Sequence, residues 1–185
     1  HLVVHDIGGP VGFEAARRLG SRVESMTVLN TVIEADTFRR PWTMHPFSVP
    51  RVGEAWLAGM VKPLFRRLMA LQGVHDMSAV PKAELDAYVD LLKREDGGRA
   101  FLRIMRGFEL TREKRDAYVG LLGSDAFDVQ VVWGEHDPAL PLATHGEAAR
   151  RATGVEHVSL LPGKHFLQED NAPAIAELVR TLVRG

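Results

Sequence analysis

The sequence predicts an α/β fold: a mostly parallel sheet interrupted by a helical insertion. Three observations lead there. Residues 1–32 run strand, tight turn, helix, strand, which is the rhythm of a parallel βαβ unit. Residues 129–133 form a near-continuous apolar run closed by Gly134, the pattern of a strand covered on both faces. Between them, residues 33–122 carry helical spacing of apolar positions and no strand signal.

The elements follow in order. Leu2, Val3 and Val4 make a short β-branched strand, and Asp6-Ile7-Gly8-Gly9-Pro10 punctuates it. Pro10 suits the first turn of a helix, where its missing N–H has no partner to lose, and a helix over 11–19 follows. A second strand is expected over 23–29. Pro41, Pro46, Pro50, Pro63 and Pro81 then divide the middle of the chain into short helices, expected at 52–60, 63–71, 82–93, 98–108 and 111–121. The sheet resumes with the strand at 129–133, a helix at 142–152, a strand at 157–161 and an amphipathic terminal helix at 172–183. Three units result: a sheet core at 1–32, a helical cap at 33–122 and a second core piece at 123–185. The chain opens inside a strand without a start methionine, so it is expected to be a fragment of a longer protein.

Composition excludes several functions. A formal net charge of −1 gives no electrostatic case for nucleic acid or an anionic membrane as partner. No apolar run approaches the ~20 residues needed to span a bilayer. The absence of cysteine removes disulfides, thiolate metal sites and a thiol nucleophile, and fits a reducing cytoplasm. His136, His145 and His157 lie close in sequence, but without H-E-x-x-H or comparable spacing, so no metal and no cofactor is expected.

The chemistry concentrates at three places. Asp6 sits at the strand-to-helix turn with glycines two and three residues later, the small residues a nucleophile elbow requires. The positive end of the following helix favours a carboxylate there, and the backbone N–H of Ile7 would serve as an oxyanion donor. Two other readings of Asp6 stand beside this one. It could simply cap the helix. A phosphate-binding loop is weaker, because G-x-G-x-x-G is absent. Asp137 follows the buried strand at 129–133, where sites form in open α/β sheets. His165 lies in the loop after the next strand. The order is therefore nucleophile, acid, histidine. Glu169 and Asp170 are expected to begin the last helix, where negative charge is favoured.

His5-Asp6-Ile7-Gly8-Gly9, Gly134-Glu135-His136-Asp137 and His165-Phe166-Leu167-Gln168-Glu169-Asp170 resemble the haloalkane dehalogenase and epoxide hydrolase branch of the α/β-hydrolases, as does Leu29-Asn30-Thr31 at a strand end. The resemblance runs along the whole chain, specific at the motifs and loose through 33–122. It implies an incomplete α/β-hydrolase fold with a helical cap and a catalytic triad acting on a small molecule, an alkyl halide or an epoxide. Asp6 would form an ester with the substrate, and His165, oriented by Asp137, would activate the water that hydrolyses it. Glu34 is the rival for the acid, because some dehalogenases take theirs from the earlier strand.

Several departures bear on the substrate. Dehalogenases of this kind usually carry Trp directly after the nucleophile; here it is Ile7. Many epoxide hydrolases use two cap tyrosines; Met105 falls where the second is expected, leaving Tyr88 as a single donor. Trp42 is a second candidate donor from the cap. The branch's His-Gly-x-Pro loop, which supplies the other oxyanion N–H, is missing from these residues. The chain by itself is accordingly expected to be inactive and poorly stable. A non-catalytic binding protein that kept the fold is the competing class of function.

Overall fold

A computed structural model describes residues 1–184. Four strands, β1 (Leu2–Asp6), β2 (Ser25–Thr31), β3 (Asp128–Gly134) and β4 (Ser159–Leu161), form one sheet in the order β1-β2-β3-β4, every neighbouring pair parallel. Helix α1 (Gly8–Leu19) joins β1 to β2. Helices α2 (Val52–Gly59), α3 (Lys62–Leu68), α4 (Lys82–Gly97), α5 (Arg99–Gly107) and α6 (Arg112–Leu122) lie between β2 and β3. Helix α7 (Glu147–Thr153) joins β3 to β4, and α8 (Gln168–Arg184) closes the described residues.

The apolar runs read from the sequence become strands because both faces of the sheet are covered. All seven residues of β2 are buried. Alternate side chains face opposite ways, as the two-residue period requires. Met26, Val28, Val131 and Trp133 pack in one cluster with Phe13 of α1, Tyr118 and Leu122 of α6 and Ala149 of α7. Leu29 and Val132 point the other way, onto Leu167 and onto Ile175 of α8. Two further clusters hold the helices between β2 and β3: Phe47, Leu57, Met60, Leu102 and Met105 form one, and Met69, Val74, Val80 and Leu85 the other.

Each expected strand and helix is present, with shifted ends. Helix α1 starts at Gly8, three residues earlier than expected, and Pro10 lies in its first turn. The helix expected at 142–152 begins as a wider turn over Leu142–Gly146 before α7 proper. Strand β4 is two residues shorter than expected at its start. Helix α8 takes in Glu169 and Asp170 in its first turn and is kinked at Asn171. No helix among the described residues is long and apolar enough to cross a membrane.

Two glycines fix how closely the parts approach. A Cβ at Gly9 would lie 1.9 Å from Oγ1 of Thr31, so only glycine lets α1 start against the end of β2. A Cβ at Gly134 would lie 2.5 Å from the carbonyl oxygen of Lys164 and 2.7 Å from that of Gly163. Backbone on the facing side cannot rotate away as a side chain can. Gly134→Ala is expected to cost about 1–3 kcal/mol or more by displacing the 163–165 loop. The check is the urea midpoint at constant slope; an unshifted midpoint would mean that the loop yields freely.

Candidate active site

Parallel strands deliver their carboxyl ends to one edge of the sheet, and the three motif residues meet there. Asp6 ends β1 with φ at +47°, a left-handed conformation that costs a non-glycine residue on the order of 1 kcal/mol. The pairing of β1 with β2 shifts register between His5 and Asp6, so the turn leaves the ladder there. The Thr31 hydroxyl donates to the backbone oxygen of Asp6 at 2.5 Å and holds the strained peptide. Helix α1 starts two residues later, and its positive end lies beside the Asp6 carboxylate.

His165 sits between two carboxylates. Its Nε2 lies 3.4 Å from Oδ1 of Asp6 and its Nδ1 2.8 Å from Oδ2 of Asp137. The Asp137 side chain is wholly buried and every acceptor position on it is used. Asn30 Nδ2 donates to its Oδ2 at 2.6 Å, and the N–H groups of Ala139 and Leu140 donate to its Oδ1 at 2.7 and 2.9 Å. Asn30 is itself fixed by accepting the N–H of Gly134 at 2.9 Å. His5 Nε2 lies 2.7 Å from the backbone oxygen of His165, an acceptor, so His5 donates and its Nε2 carries the proton.

These contacts set the charges. Burial disfavours the imidazolium of His165, but hydrogen bonds and charges from Asp137 and Asp6 outweigh it and push the group from 6.5 up to about 10. Burial likewise opposes ionisation of Asp6, yet the His165 imidazole and the N–H of Ile7 hold its carboxyl below the usual aspartate range. Burial and the neighbouring His165 cation lower the pKa of His5, which keeps it a neutral donor. At neutral pH the site therefore holds an anionic Asp6 against a cationic His165.

The other candidates separate. Glu34 does not reach the imidazole; it faces Arg151, with N···O at 3.4 Å. Tyr88 lines the cavity above the site, stacks on Phe65 at 5.6 Å and donates its hydroxyl to Glu169. Burial and Glu169 raise its pKa, so it stays protonated. Trp42 is 67% exposed and is not part of the cavity wall. Ile7 lines the cavity with its side chain. His136 stacks on His75, His145 contacts the Thr144 hydroxyl at 3.0 Å, and His157 lies beside Glu156. Among the described residues no group of three His, Cys, Asp or Glu side chains is placed to hold a metal. Asn30, Thr31 and His5 stand in the quoted motifs but were given no role there; in the structure they position the site. The available signal was the adjacent polar pair Asn30-Thr31 at the end of a strand that is buried throughout.

The cavity above Asp6 and His165 has a volume of about 340 Å³. Its wall is mainly apolar, with Phe47, Phe65, Met105 and Phe166 prominent; its charged members are Asp6, His165, Arg40 and Glu109.

No protein-family profile matches the chain. Solved structures do. One is an α/β-hydrolase-fold protein from Burkholderia ambifaria, with a TM-score of 0.69 and 24% identity over 96% of this chain and 63% of that one. This chain has the α/β-hydrolase fold. A 2-hydroxy-6-oxo-6-phenylhexa-2,4-dienoate hydrolase from Rhodococcus sp. strain RHA1 carries it too, with a TM-score of 0.69 and 19% identity over 100% of this chain and 64% of that one. So does a serine hydrolase from Cycloclasticus zankles, with a TM-score of 0.68 and 18% identity over the same shares. The chain spans about 64% of the length of these structures, and its four strands make an incomplete α/β-hydrolase fold.

The two shifted groups give stability opposite pH dependences. The raised pKa of His165 contributes stability that is full below about 6.5 and is lost as pH climbs toward about 10. The lowered pKa of Asp6 contributes stability present above the ordinary aspartate range and lost on further acidification. Thermal unfolding should therefore show a decline between pH 6.5 and 10 that His165→Gln flattens. Parallel alkaline declines in both proteins would place the ion pair elsewhere.

Proposed function

We propose that the full-length protein is a hydrolase that acts at an alkyl carbon through an ester on Asp6. The reading rests on one observation above the others: Oδ1 of Asp6, at a left-handed strand end, lies 3.4 Å from Nε2 of an imidazole that Asp137 holds by its other nitrogen. The three motifs resembling the haloalkane dehalogenase and epoxide hydrolase branch support it, as does the apolar cavity over the carboxylate.

In the first step an Asp6 oxygen attacks the electrophilic carbon. A carbon–oxygen bond forms, the bond to the leaving group breaks, and the leaving group takes the electron pair. No base is needed, because Asp6 is already ionised. Forming the ester removes one of the two negative charges that hold up the His165 pKa; Asp137 remains, while burial continues to press it down. The imidazole then gives its proton to solvent, or to the alkoxide where an epoxide has opened, and can take one from water. That water attacks the ester carbonyl, the Ile7 N–H steadies the oxyanion, and collapse returns the Asp6 carboxylate and the alcohol. The matching structures include a serine hydrolase and a dienoate hydrolase. An aspartate at the turn argues against ordinary ester cleavage here, because attack on an acyl carbon would give a high-energy anhydride.

The leaving group divides the proposal. Motif resemblance favours a halide. The indole groups do not: Trp56 Nε1 donates to the Thr43 carbonyl at 3.2 Å, Trp133 Nε1 to that of Leu140 at 3.0 Å, and Trp42 lies off the cavity. Epoxide opening is the second reading, and Tyr88 favours it as a protonated hydroxyl on the cavity wall, provided that it turns from Glu169, to which it donates, toward the opening ring.

A full-length His165→Gln variant tests the shared step. Incubated with alkyl bromides or terminal epoxides, it should gain the mass of one substrate-derived group, localised to Asp6, which the wild-type protein sheds. Halide release against ring opening by the wild type then separates the two leaving groups. An unmodified Asp6 across both panels, with no turnover by the wild type, would leave a non-catalytic binding protein as the better reading.

A further inference from the structure

Arg40 lies in the segment after β2, half-buried, on the wall of the cavity. Its Nη2 donates to the backbone oxygen of Met105 at 3.0 Å. Among the described residues no carboxylate lies within the 4.0 Å that defines an ion pair with it. The other charged members of the wall are matched: Asp6 pairs with His165, and Glu109, 66% exposed, lies 3.6 Å from Nζ of Lys114. Arg40 is thus the one lining charge without a counter-charge among the described residues.

That arrangement leaves a cation on the cavity wall free to meet an anion. One carbonyl occupies one of the guanidinium's five N–H donors. A partly desolvated cation facing apolar walls is strongly favoured to meet an anion. The planar fork matches a carboxylate through two parallel hydrogen bonds, which a point charge does not do. A single fork suits a monoanion; a phosphate dianion would call for more cationic donors than this wall offers.

We infer that the cavity takes substrates whose apolar skeleton ends in a carboxylate, with Arg40 holding that group while the reacting carbon lies at Asp6. This deepens the proposed function and rests on Asp6 being the nucleophile. Arg40 also works against the negative field of Asp6 and Asp137, which would otherwise repel an anionic substrate.

The test compares ω-bromoalkanoates with uncharged bromoalkanes of matching length, over a range of lengths, as labels of Asp6 in the full-length His165→Gln protein. The bromine is remote from the carboxylate, so intrinsic reactivity is matched. At the best length the charged probe should label ~10–100-fold faster, the worth of a charge-assisted pair. Adding Arg40→Met should bring the ratio of charged to uncharged labelling near one. Loss of structure would instead depress both probes and leave their ratio uninformative, so calorimetric binding of octanoate and 1-octanol to the wild-type protein gives a second reading. Octanoate should bind more tightly. If neither bromo probe labels Asp6, the nucleophile fails while the calorimetry still judges the anion site. Equal labelling by both probes, equal binding of octanoate and octanol, or a ratio unmoved by a folded Arg40→Met variant would overturn the inference.

Discussion

An imidazole clamped between two carboxylates organises this end of the molecule. Asp6 ends β1, Asp137 follows β3 and His165 follows β4, so three of the four strands each bring one member. Strand β2 brings none of the three but steadies two: Thr31 holds the Asp6 peptide, and Asn30 bridges Asp137 to Gly134. Strand order and parallel direction are thus not background to the site. Reverse β1, β3 or β4 and a member would leave for the other edge of the sheet; reverse β2 and the two residues that steady them would leave.

The outline of this arrangement was legible in the sequence, because outline depends on period and order. The β-branched and apolar runs gave the strands, proline spacing gave the short helices, and Asp6, Asp137 and His165 stood in the expected order after strand ends. What stayed hidden depends on contacts between distant positions. Asn30 and Asp137 are 107 residues apart, and nothing in the run Ser25–Thr31 says which buried polar group faces which partner. Glu34 and Asp137 each follow a strand, and only the form of the loop 134–138 favours Asp137 over its rival as the acid. The difference is that Arg151 stands opposite one and the imidazole opposite the other. Trp42 and Tyr88 both lie among the helices between β2 and β3, and packing alone turns one to solvent and the other to the cavity.

The histidine loop is also bound to that helical segment. Lys164 Nζ donates to the Ala70 carbonyl at 2.6 Å, and the N–H of Phe166 to that of Gly73 at 2.8 Å. Asp170 Oδ2 accepts the N–H groups of His75 and Asp76 at 2.9 and 2.8 Å, and Glu169 accepts from Tyr88. These bonds make the floor loop and part of the cavity wall one mechanical unit. A substitution near Gly73 can therefore disturb His165 without touching the sheet.

The identity of the residue at the turn decides what the imidazole has to do. A neutral hydroxyl there would need its proton removed before it could attack, and would leave Asp137 as the one carboxylate beside an imidazole that has to serve as base from the start. An ionised Asp6 needs no such help, so the raised pKa of His165 is harmless to the first step of the proposed reaction. It becomes an asset in the second, because esterification removes one of the two charges that sustain it. In the proposed reaction the base would thereby be released only after there is an ester to hydrolyse, and the timing would follow from the charge that Asp6 carries in the resting site.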